Sequence, residues 1–259
     1  MLFSKARSYL KFLINSKNHH GVHSPFVFDF VTKSLYQKEK PKNLKAFLNY
    51  RKDLLSNSNF IEITDYGAGS KKFKSNSRKI SHIAKYAGIS MKRGKLLFNL
   101  TKYFKPKNIL EIGTSLGISS SILSIAAPDA VITTIEGCKA TASIAKQQFE
   151  KYNFQNIDLK IGDFETTLPK IFKKEKFDLI YFDGNHAKVA TLNYFNQSLQ
   201  SIHNDSVLIF DDIHWSKEME EAWAEIKNHE LVKVTINTFQ WGFVFFREEQ
   251  EKEHFIIRV

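Results

Sequence analysis

Glycines and an acidic residue surround a turn in the middle of the chain, in an arrangement that can bind a nucleotide-like ligand. Residues 109–112 are strand-like, include Glu111 and lead into a turn in which Gly113 and Gly117 stand four residues apart. A helix-like run over residues 118–126 follows. A strand, a glycine-rich turn and a helix in this order let the backbone and a helix N-terminus approach a ligand. The spacing is neither that of the dinucleotide-binding glycine motif nor that of a P-loop.

Further acids follow the next two strand-like segments. Glu136 comes directly after residues 131–135 and 19 residues after Gly117, where a carboxylate can accept two hydrogen bonds from a ribose diol. Asp163 follows residues 157–161, and the neighbouring Phe164 offers a ring for stacking on a base. Ligands of parallel α/β sheets lie beyond the carboxyl ends of the strands, so we expect these side chains to share one site.

Two later strand-like segments end in groups that can transfer protons. The fourth segment is followed by Asp183 and His186, and the fifth by Asp211 and Asp212. Histidine titrates near neutral pH, so His186 is a candidate general base, with Asp183 close to it in the chain. The candidates for the wall of the same pocket are His214, Trp215 and Trp241.

Strand-like and helix-like segments alternate from residue 88 onward. This alternation predicts a Rossmann-like, doubly wound, mostly parallel α/β sheet. Residues 231–239 and 241–247 alternate apolar and polar side chains around a tight turn, which predicts an antiparallel hairpin. We therefore expect a seven-stranded sheet that ends in this hairpin, within a domain that spans residues 88–259.

Residues 1–87 are predicted to form a helical, basic extension that covers the substrate. Its first helix, over residues 2–16, has a broad apolar face and is expected either to dock on its own domain or to contact a membrane surface. The group of His19, His20 and His23 matches no standard zinc spacing. A second glycine turn, with Gly67 and Gly69, is interpreted as a loop that borders the site or binds an anion.

Composition narrows the classes to which the chain can belong. Residues 1–110 carry 23 Lys and Arg against 5 Asp and Glu, whereas the remainder carries 15 against 22. The basic part predicts either an anionic partner or a solubilising surface. The single cysteine, Cys138, excludes an internal disulfide, and no apolar run approaches the roughly 20 residues that span a bilayer. No signal-peptide pattern is recognised, so a cytoplasmic location is expected.

The glycine turn and the acids at successive strand ends together resemble the class I S-adenosylmethionine-dependent methyltransferases, over roughly residues 88–247. The resemblance implies S-adenosylmethionine as the cofactor, with its methionine portion beside the glycine turn and its carboxylate near Ser119. The residues that it implies for cofactor binding are Glu111, Gly113, Thr114, Gly117, Ser119, Glu136, Asp163, Phe164 and Asp183.

The fourth and fifth strand ends resemble the cation-dependent O-methyltransferases of the catechol and caffeoyl-CoA type. That resemblance implies that Asp183, Asp211 and Asp212 hold Mg²⁺ or another divalent cation, which binds the methyl acceptor. Two positions depart from the family, whose Asn is Asp212 here and whose catalytic Lys is His186. The run Asp-Gly-Asn-His is closer to a broader group of relatives with Asp-Gly-x-His. The alternative is that His186 caps the following helix and that no metal binds.

The leading functional hypothesis is O-methylation of a hydroxylated small-molecule or lipid-like acceptor. RNA or protein methylation through the basic extension is the alternative, although the chain has no Asn/Asp-Pro-Pro-Tyr/Phe motif for methylation of base nitrogens. A third hypothesis is a non-catalytic, membrane-associated scaffold on the same fold. Peripheral membrane contact through residues 2–16 and a homodimer are further candidate interactions.

Overall fold

Ten strands in two sheets occur in the computed structural model, which describes residues 2–38, 41–64 and 75–259. A small antiparallel sheet pairs β1 (Phe60–Glu62) with β2 (Ser77–Lys79). The strands of the central sheet are β3 (Asn108–Ile112), β4 (Val131–Glu136), β5 (Ile157–Ile161), β6 (Leu179–Phe182), β7 (Val207–Asp211), β8 (Val234–Asn237), β9 (Trp241–Phe245) and β10 (Glu253–Ile256). Their order across the sheet is β10-β8-β9-β7-β6-β3-β4-β5, and β9 is antiparallel to both neighbours while the other pairs are parallel.

Helices cover both faces of the central sheet. The α-helices in the described part of the chain are α1 (Leu2–Asn15), α2 (Pro25–Phe30), α3 (Lys45–Ser56), α4 (Ile80–Tyr86), α5 (Met91–Phe104), α6 (Ile118–Ala126), α7 (Lys139–Lys151), α8 (Phe164–Phe172), α9 (Lys188–Ser198) and α10 (Lys217–Asn228). Successive strand residues point to opposite faces, so Ile109 and Tyr181 join one core with α2 to α7, whereas Leu110 and Phe182 join another with α8 to α10. Burial on both faces is typical of a doubly wound sheet.

The predicted fold class is confirmed, and the hairpin closes the parallel part of the sheet as expected. One strand more than predicted is present, because β10 adds to the edge of the sheet by pairing in parallel with β8. This strand carries two exposed and two half-buried residues, so it lacks the apolar pattern of the inner strands. Residues 77–79 form β2, and α4 begins directly after them.

The N-terminal helices pack into the same core as the central sheet. Phe30 of α2 contacts Phe243 and Phe245 of β9, with ring centroids 5.3 and 5.6 Å apart. Phe47 of α3 packs on Gly94 of α5, where an added Cβ would lie 2.7 Å from the Phe47 ring. Residues 1–87 and the sheet therefore share buried surface, while the predicted boundary after residue 87 stays a prediction.

Helix α1 rests on the loop between β8 and β9 and leaves part of its apolar surface exposed. Tyr9 and Phe12 contact Phe239, with ring centroids 4.8 and 5.5 Å apart. Leu10 is 60% exposed and Ile14 is 82% exposed. Among the described residues, no helix combines the length and the apolar character that crossing a membrane requires.

Candidate active site

A cleft of about 370 Å³ lies at the carboxyl ends of β3, β4, β6 and β7. The glycine turn and the start of α6 form its floor, and residues 63–64 after β1, Arg78 of β2, α4 and the start of α5 form its roof. The predicted site residues that line it are Gly113, Thr114, Ser119, Glu136, Asp163, Phe164, Asp183, His186, Asp211, Asp212 and Trp215. The volume falls in the usual range for small-ligand sites.

The two glycines of the turn have different surroundings. Gly113 lines the cleft with φ at +105°, and an added Cβ would lie 2.6 Å from the carbonyl oxygen of Asp183. Gly117 caps the start of α6 with φ at +73°, but it faces Phe149 and Tyr50 rather than the cleft. Gly113 thus brings the turn against the end of β6, whereas Gly117 closes the turn on the opposite side.

Glu111 lies beneath the cleft floor, where it is fully buried and does not line the cleft. Its carboxylate accepts hydrogen bonds from Ser120 of α6 and from Thr134 of β4, the latter at 2.6 Å. Thr134 is in turn bonded to Thr114 in the turn, at 2.6 Å. Burial raises the pKa of Glu111. This acid therefore joins the turn, α6 and β4 to one another.

Glu136 stands at the end of β4 with its carboxylate held in place by backbone groups. Its Oε2 accepts from the amide of Ser115 at 2.7 Å, and its Oε1 accepts from the amide of Cys138 at 2.8 Å. Burial raises the pKa of Glu136 against the effect of these hydrogen bonds. A carboxylate oxygen accepts more than one hydrogen bond, so both oxygens retain capacity for ligand hydroxyls.

Asp163 and Phe164 stand at the far end of the cleft, where α8 begins. Asp163 caps this helix by accepting from the amide of Thr166 at 3.2 Å. The Phe164 ring packs against Gly184, where an added Cβ would lie 2.7 Å from the ring. The cap and the ring thus fix the edge of the cleft where the segment after β5 meets the segment after β6.

An ionic cluster occupies the other end of the cleft. Asp211 is 4% exposed and forms an ion pair with Arg93, which reaches it from the first turn of α5. Asp183 is hydrogen-bonded to Asp211 and accepts from the hydroxyl of Tyr181 at 3.3 Å. Nε2 of His186 lies 3.9 Å from Oδ1 of Asp183. The cluster therefore places a histidine beside one buried carboxyl group, one half-buried carboxyl group and one guanidinium.

The two carboxyl groups of this cluster have opposite pKa shifts. Burial, followed by the negative charge of Asp211, raises the pKa of Asp183 well above its usual range. Burial also opposes ionisation of Asp211, but the charge of Arg93 and the hydrogen bonds to Asp211 together outweigh it, so the pKa of Asp211 is lowered. Asp183 therefore holds a proton more readily than Asp211, whose carboxylate is paired with Arg93.

Strained backbone is concentrated around the cleft. Ser115, Asn185 and Asp212 have φ angles of 50°, 51° and 51°, and all three line it. Such conformations cost about 1–3 kcal/mol each and are typical of functional sites.

Two of the three residues predicted for the pocket wall lie elsewhere. Trp215 lines the cleft, with its ring centroid 6.4 Å from that of His186. His214 instead bonds Glu220 at 2.7 Å and stacks on Phe239, so it serves the contact beneath α1. Trp241 is buried under Arg93, whose guanidinium carbon lies 5.5 Å from the ring centroid. The wall positions of His214 and Trp241 were therefore wrong.

The three aspartates do not form the cation site that the resemblance implies. In the described ranges, no group of three or more His, Cys, Asp and Glu side chains is arranged to hold a metal ion. Asp211 is paired with Arg93 and hydrogen-bonded to Asp183, and Oδ1 of Asp211 also accepts from the amide of Asp212, at 2.8 Å. Asp211 is thus already neutralised by a guanidinium and Asp183 is hydrogen-bonded to Asp211, so this arrangement does not fit a divalent cation.

Two other sequence features have separate outcomes. His19 stacks on His20 at 3.9 Å and contacts Tyr36 at 5.5 Å between ring centroids, away from the cleft. The turn with Gly67 and Gly69 lies outside the described residues.

Arg93 is the main site residue that the sequence analysis did not select. Its signal was the excess of acids at two neighbouring strand ends, because buried carboxylates require a compensating cation. Arg78 and Tyr86, which line the roof, were not selected either.

Part of the chain is similar to known proteins. Residues 110–213 match a family model described as a methyltransferase domain. A curated protein-L-isoaspartate O-methyltransferase of Shewanella woodyi is 37% identical over 59 residues, which cover 23% of this chain and 27% of that relative. The chain therefore spans about a quarter of the length of this curated relative.

Solved structures match most of the fold. A Podospora anserina methyltransferase with S-adenosylhomocysteine bound has a TM-score of 0.62 and 16% identity, over 88% of this chain and 98% of its own. An O-methyltransferase of Streptomyces achromogenes involved in tomaymycin synthesis, in complex with S-adenosylmethionine, has a TM-score of 0.56 and 19% identity, over 85% and 96%. These likenesses confirm the class I methyltransferase fold.

Proposed function

We propose that this chain, which carries a methyltransferase domain on the class I fold, is an S-adenosylmethionine-dependent O-methyltransferase of a hydroxylated small molecule. The observation that carries the proposal is a single cleft in which the glycine turn and Glu136 lie at one end and His186 lies at the other. The first end suits the methyl donor, and the second end suits deprotonation of the acceptor.

The cofactor half of the cleft has the groups that S-adenosylmethionine requires. The missing side chain at Gly113 lets the turn pack against the end of β6 with its backbone lining the cleft. Glu136 faces the cleft with a fixed carboxylate that suits the ribose hydroxyls, and Asp163 and Phe164 suit the adenine. Ser119, in the first turn of α6, suits the carboxylate of the methionine portion. When bound, the cofactor would supply a methyl group carried on a sulfonium. The sulfur part of the cofactor is the leaving group and becomes a neutral thioether.

His186 is the proposed general base for the acceptor hydroxyl. The acceptor oxygen gives its proton to the His186 ring as it forms the bond to the methyl carbon, and the electron pair of the broken C–S bond stays on sulfur. The positive charge gained by the ring is stabilised by its electrostatic interaction with the Asp211 carboxylate. Asp183, 3.9 Å from Nε2, limits where the ring can lie. Trp215 covers the same end of the cleft.

The N-terminal extension is proposed to select the acceptor. Ile63, Ile83 and Tyr86 contribute apolar surface to the roof, and Arg78 adds a positive charge. A roof of this kind suits an aromatic or lipid-like molecule with a hydroxyl group. A cytoplasmic location, a homodimer and membrane contact through residues 2–16 stay predictions.

A protein acceptor is the second candidate. It is favoured by the match of 59 residues to the protein-L-isoaspartate O-methyltransferase of Shewanella woodyi. The contribution of the roof to the cleft favours a small acceptor over a protein side chain, because it narrows the approach to His186. RNA methylation and the non-catalytic scaffold stay alternatives from the sequence.

The test is transfer of a radiolabelled methyl group from S-adenosylmethionine to panels of phenolic, catecholic and lipid hydroxyl acceptors, with a peptide panel in parallel. The proposal expects transfer to at least one hydroxyl class and calorimetric binding of S-adenosylhomocysteine. Absence of S-adenosylhomocysteine binding would refute it. Transfer to the peptide panel alone would favour the protein acceptor.

A further inference from the structure

Arg93 occupies a fixed position at the acceptor end of the cleft. It lies in the first turn of α5, where its amide donates to the Ser90 side chain at 3.4 Å. The guanidinium lies over the buried Trp241 ring and forms an ion pair with Asp211. The next residue, Gly94, packs directly on Phe47. The backbone, the aromatic ring and the carboxylate thus hold this side chain from three sides.

This position coincides with the strand ends at which the resemblance implies a divalent cation. Asp211 is the last residue of β7 and Asp183 follows β6 directly, and the two are hydrogen-bonded to each other. A carboxylate as buried as Asp211 must be paired with a positive charge. The guanidinium already provides that charge from within the chain.

We propose that Arg93 takes the place of the divalent cation, so that methyl transfer requires no metal and Arg93 binds an oxygen of the acceptor. The second part rests on the proposed methyltransferase function. A guanidinium has five N–H donors, of which Nη2 faces Asp211, and the side chain keeps 18% of its surface exposed in the cleft. The acceptor class that fits carries a carboxylate, carbonyl or second hydroxyl next to the methylated hydroxyl, because a planar donor group recognises paired oxygens.

The proposal is tested by Mn²⁺ titration followed by electron paramagnetic resonance. Wild type is expected to bind no Mn²⁺ at the site. Arg93→Met leaves Asp183, Asp211 and Asp212 without their cation and is expected to gain one Mn²⁺ site, at least about 10-fold tighter than any in wild type. Arg93→Lys keeps the charge and is expected to bind none. Lys95→Met, at an exposed lysine of the same helix, is the matched control and is expected to behave as wild type.

Two results would overturn the proposal. One is a folded Arg93→Met that binds Mn²⁺ no more tightly than wild type does, whether or not wild type binds it. The other is wild-type methyl transfer that stops in a chelator and returns with Mg²⁺, a measurement that needs no variant to fold.

Calorimetry with S-adenosylhomocysteine separates this proposal from the proposed function. All four proteins are expected to bind it with affinities within about threefold of one another, since Arg93 lies at the acceptor end. If wild type bound no S-adenosylhomocysteine, the proposed function would fail, whereas the Mn²⁺ titration would still decide whether Arg93 occupies the cation position.

Discussion

The two ends of the cleft are built in different ways. At the cofactor end, Glu136 is held by the backbone amides of Ser115 and Cys138, which are 21 and 2 residues away in the chain. At the acceptor end, Asp211 is held by the side chain of Arg93, 118 residues away. The first end is thus specified by turns next to the strands, and the second by the docking of α5 across the sheet.

This difference explains what each end tolerates. A backbone amide cannot be mutated away, so the carboxylate of Glu136 keeps its donors in any related sequence with the same turn. The pair of Asp211 and Arg93 depends on both side chains, so one substitution leaves a buried charge without its partner. The acceptor end is therefore the part of the site at which a single substitution can replace the guanidinium by another positive group, such as a metal ion.

The largest effect is expected from Gly113→Ala, which breaks the cofactor end at its backbone. The added Cβ would lie 2.6 Å from the Asp183 carbonyl, at a φ of +105° that alanine rarely adopts. We expect no measurable S-adenosylhomocysteine binding by calorimetry and a lower melting temperature. Gly21→Ala, away from the cleft and without a positive φ, is the control. Binding at wild-type affinity by Gly113→Ala would show that the turn does not form this end of the site.

His186→Ala is expected to disable the acceptor end alone. Loss of a general base lowers the rate of methyl transfer by about 10²–10⁴-fold. The affinity for S-adenosylhomocysteine should stay at its wild-type value, since the cofactor end is unchanged. His203→Ala serves as control, because His203 pairs with Asp178 at 2.9 Å near the opposite end of the sheet. A wild-type rate in His186→Ala would remove the histidine from the mechanism.

Glu136→Ala should weaken the cofactor end without destroying it. Hydrogen bonds to a charged group contribute about 1.5–3 kcal/mol, so S-adenosylhomocysteine is expected to bind about 10- to 150-fold more weakly in calorimetry. Asp158→Ala, which removes an exposed acid of the neighbouring β5, is expected to bind as wild type. Equal affinities in the two variants would contradict the ribose role of Glu136.

The smallest effect concerns the support under the cofactor end. Burial raises the pKa of Glu111, so the folded chain holds this proton more tightly than the unfolded chain. Its contribution to stability is therefore complete below the ordinary value of 4.5 and is lost as pH rises through the raised folded pKa.

Glu111→Gln removes this titration and tests the sign. Urea unfolding at several pH values should show wild type losing free energy of unfolding relative to the variant as pH rises from about 4.5, by at most about 1.4 kcal/mol per pH unit. Parallel pH curves for the two proteins would show that Glu111 does not titrate differently on folding.

Much of the cofactor end was predictable from the sequence, and less of the acceptor end was. The glycine spacing and the acids at strand ends are local patterns, and they placed Gly113, Glu136 and Asp163 around one cleft. Glu111 and Gly117 are buried and do not line the cleft, which the pattern alone could not show, because it does not tell a strand's buried face from its exposed end.

Residues whose position depends on distant packing were the ones that sequence reasoning missed. Trp241 is turned under Arg93, and His214 is turned toward Glu220 and Phe239, through contacts made by α5, α10 and α1. β10 was missed because its edge position leaves it without a continuous apolar pattern. In each case the position depends on which helix or strand packs against the residue, and the pattern of a single sequence does not show that packing.

The clasp between the two chain ends sets the order in which this protein can complete its fold. The amide of Lys17 donates to Ile256 at 2.8 Å, the amide of Arg258 donates to Lys17 at 3.0 Å, and the Arg258 side chain bonds Leu13 across 245 residues of sequence. During synthesis, the segment after α1 therefore waits for nearly the whole chain before its partners exist. Loss of the last six residues removes these bonds but leaves Phe239 under α1, so protease cleavage should increase in the segment after α1.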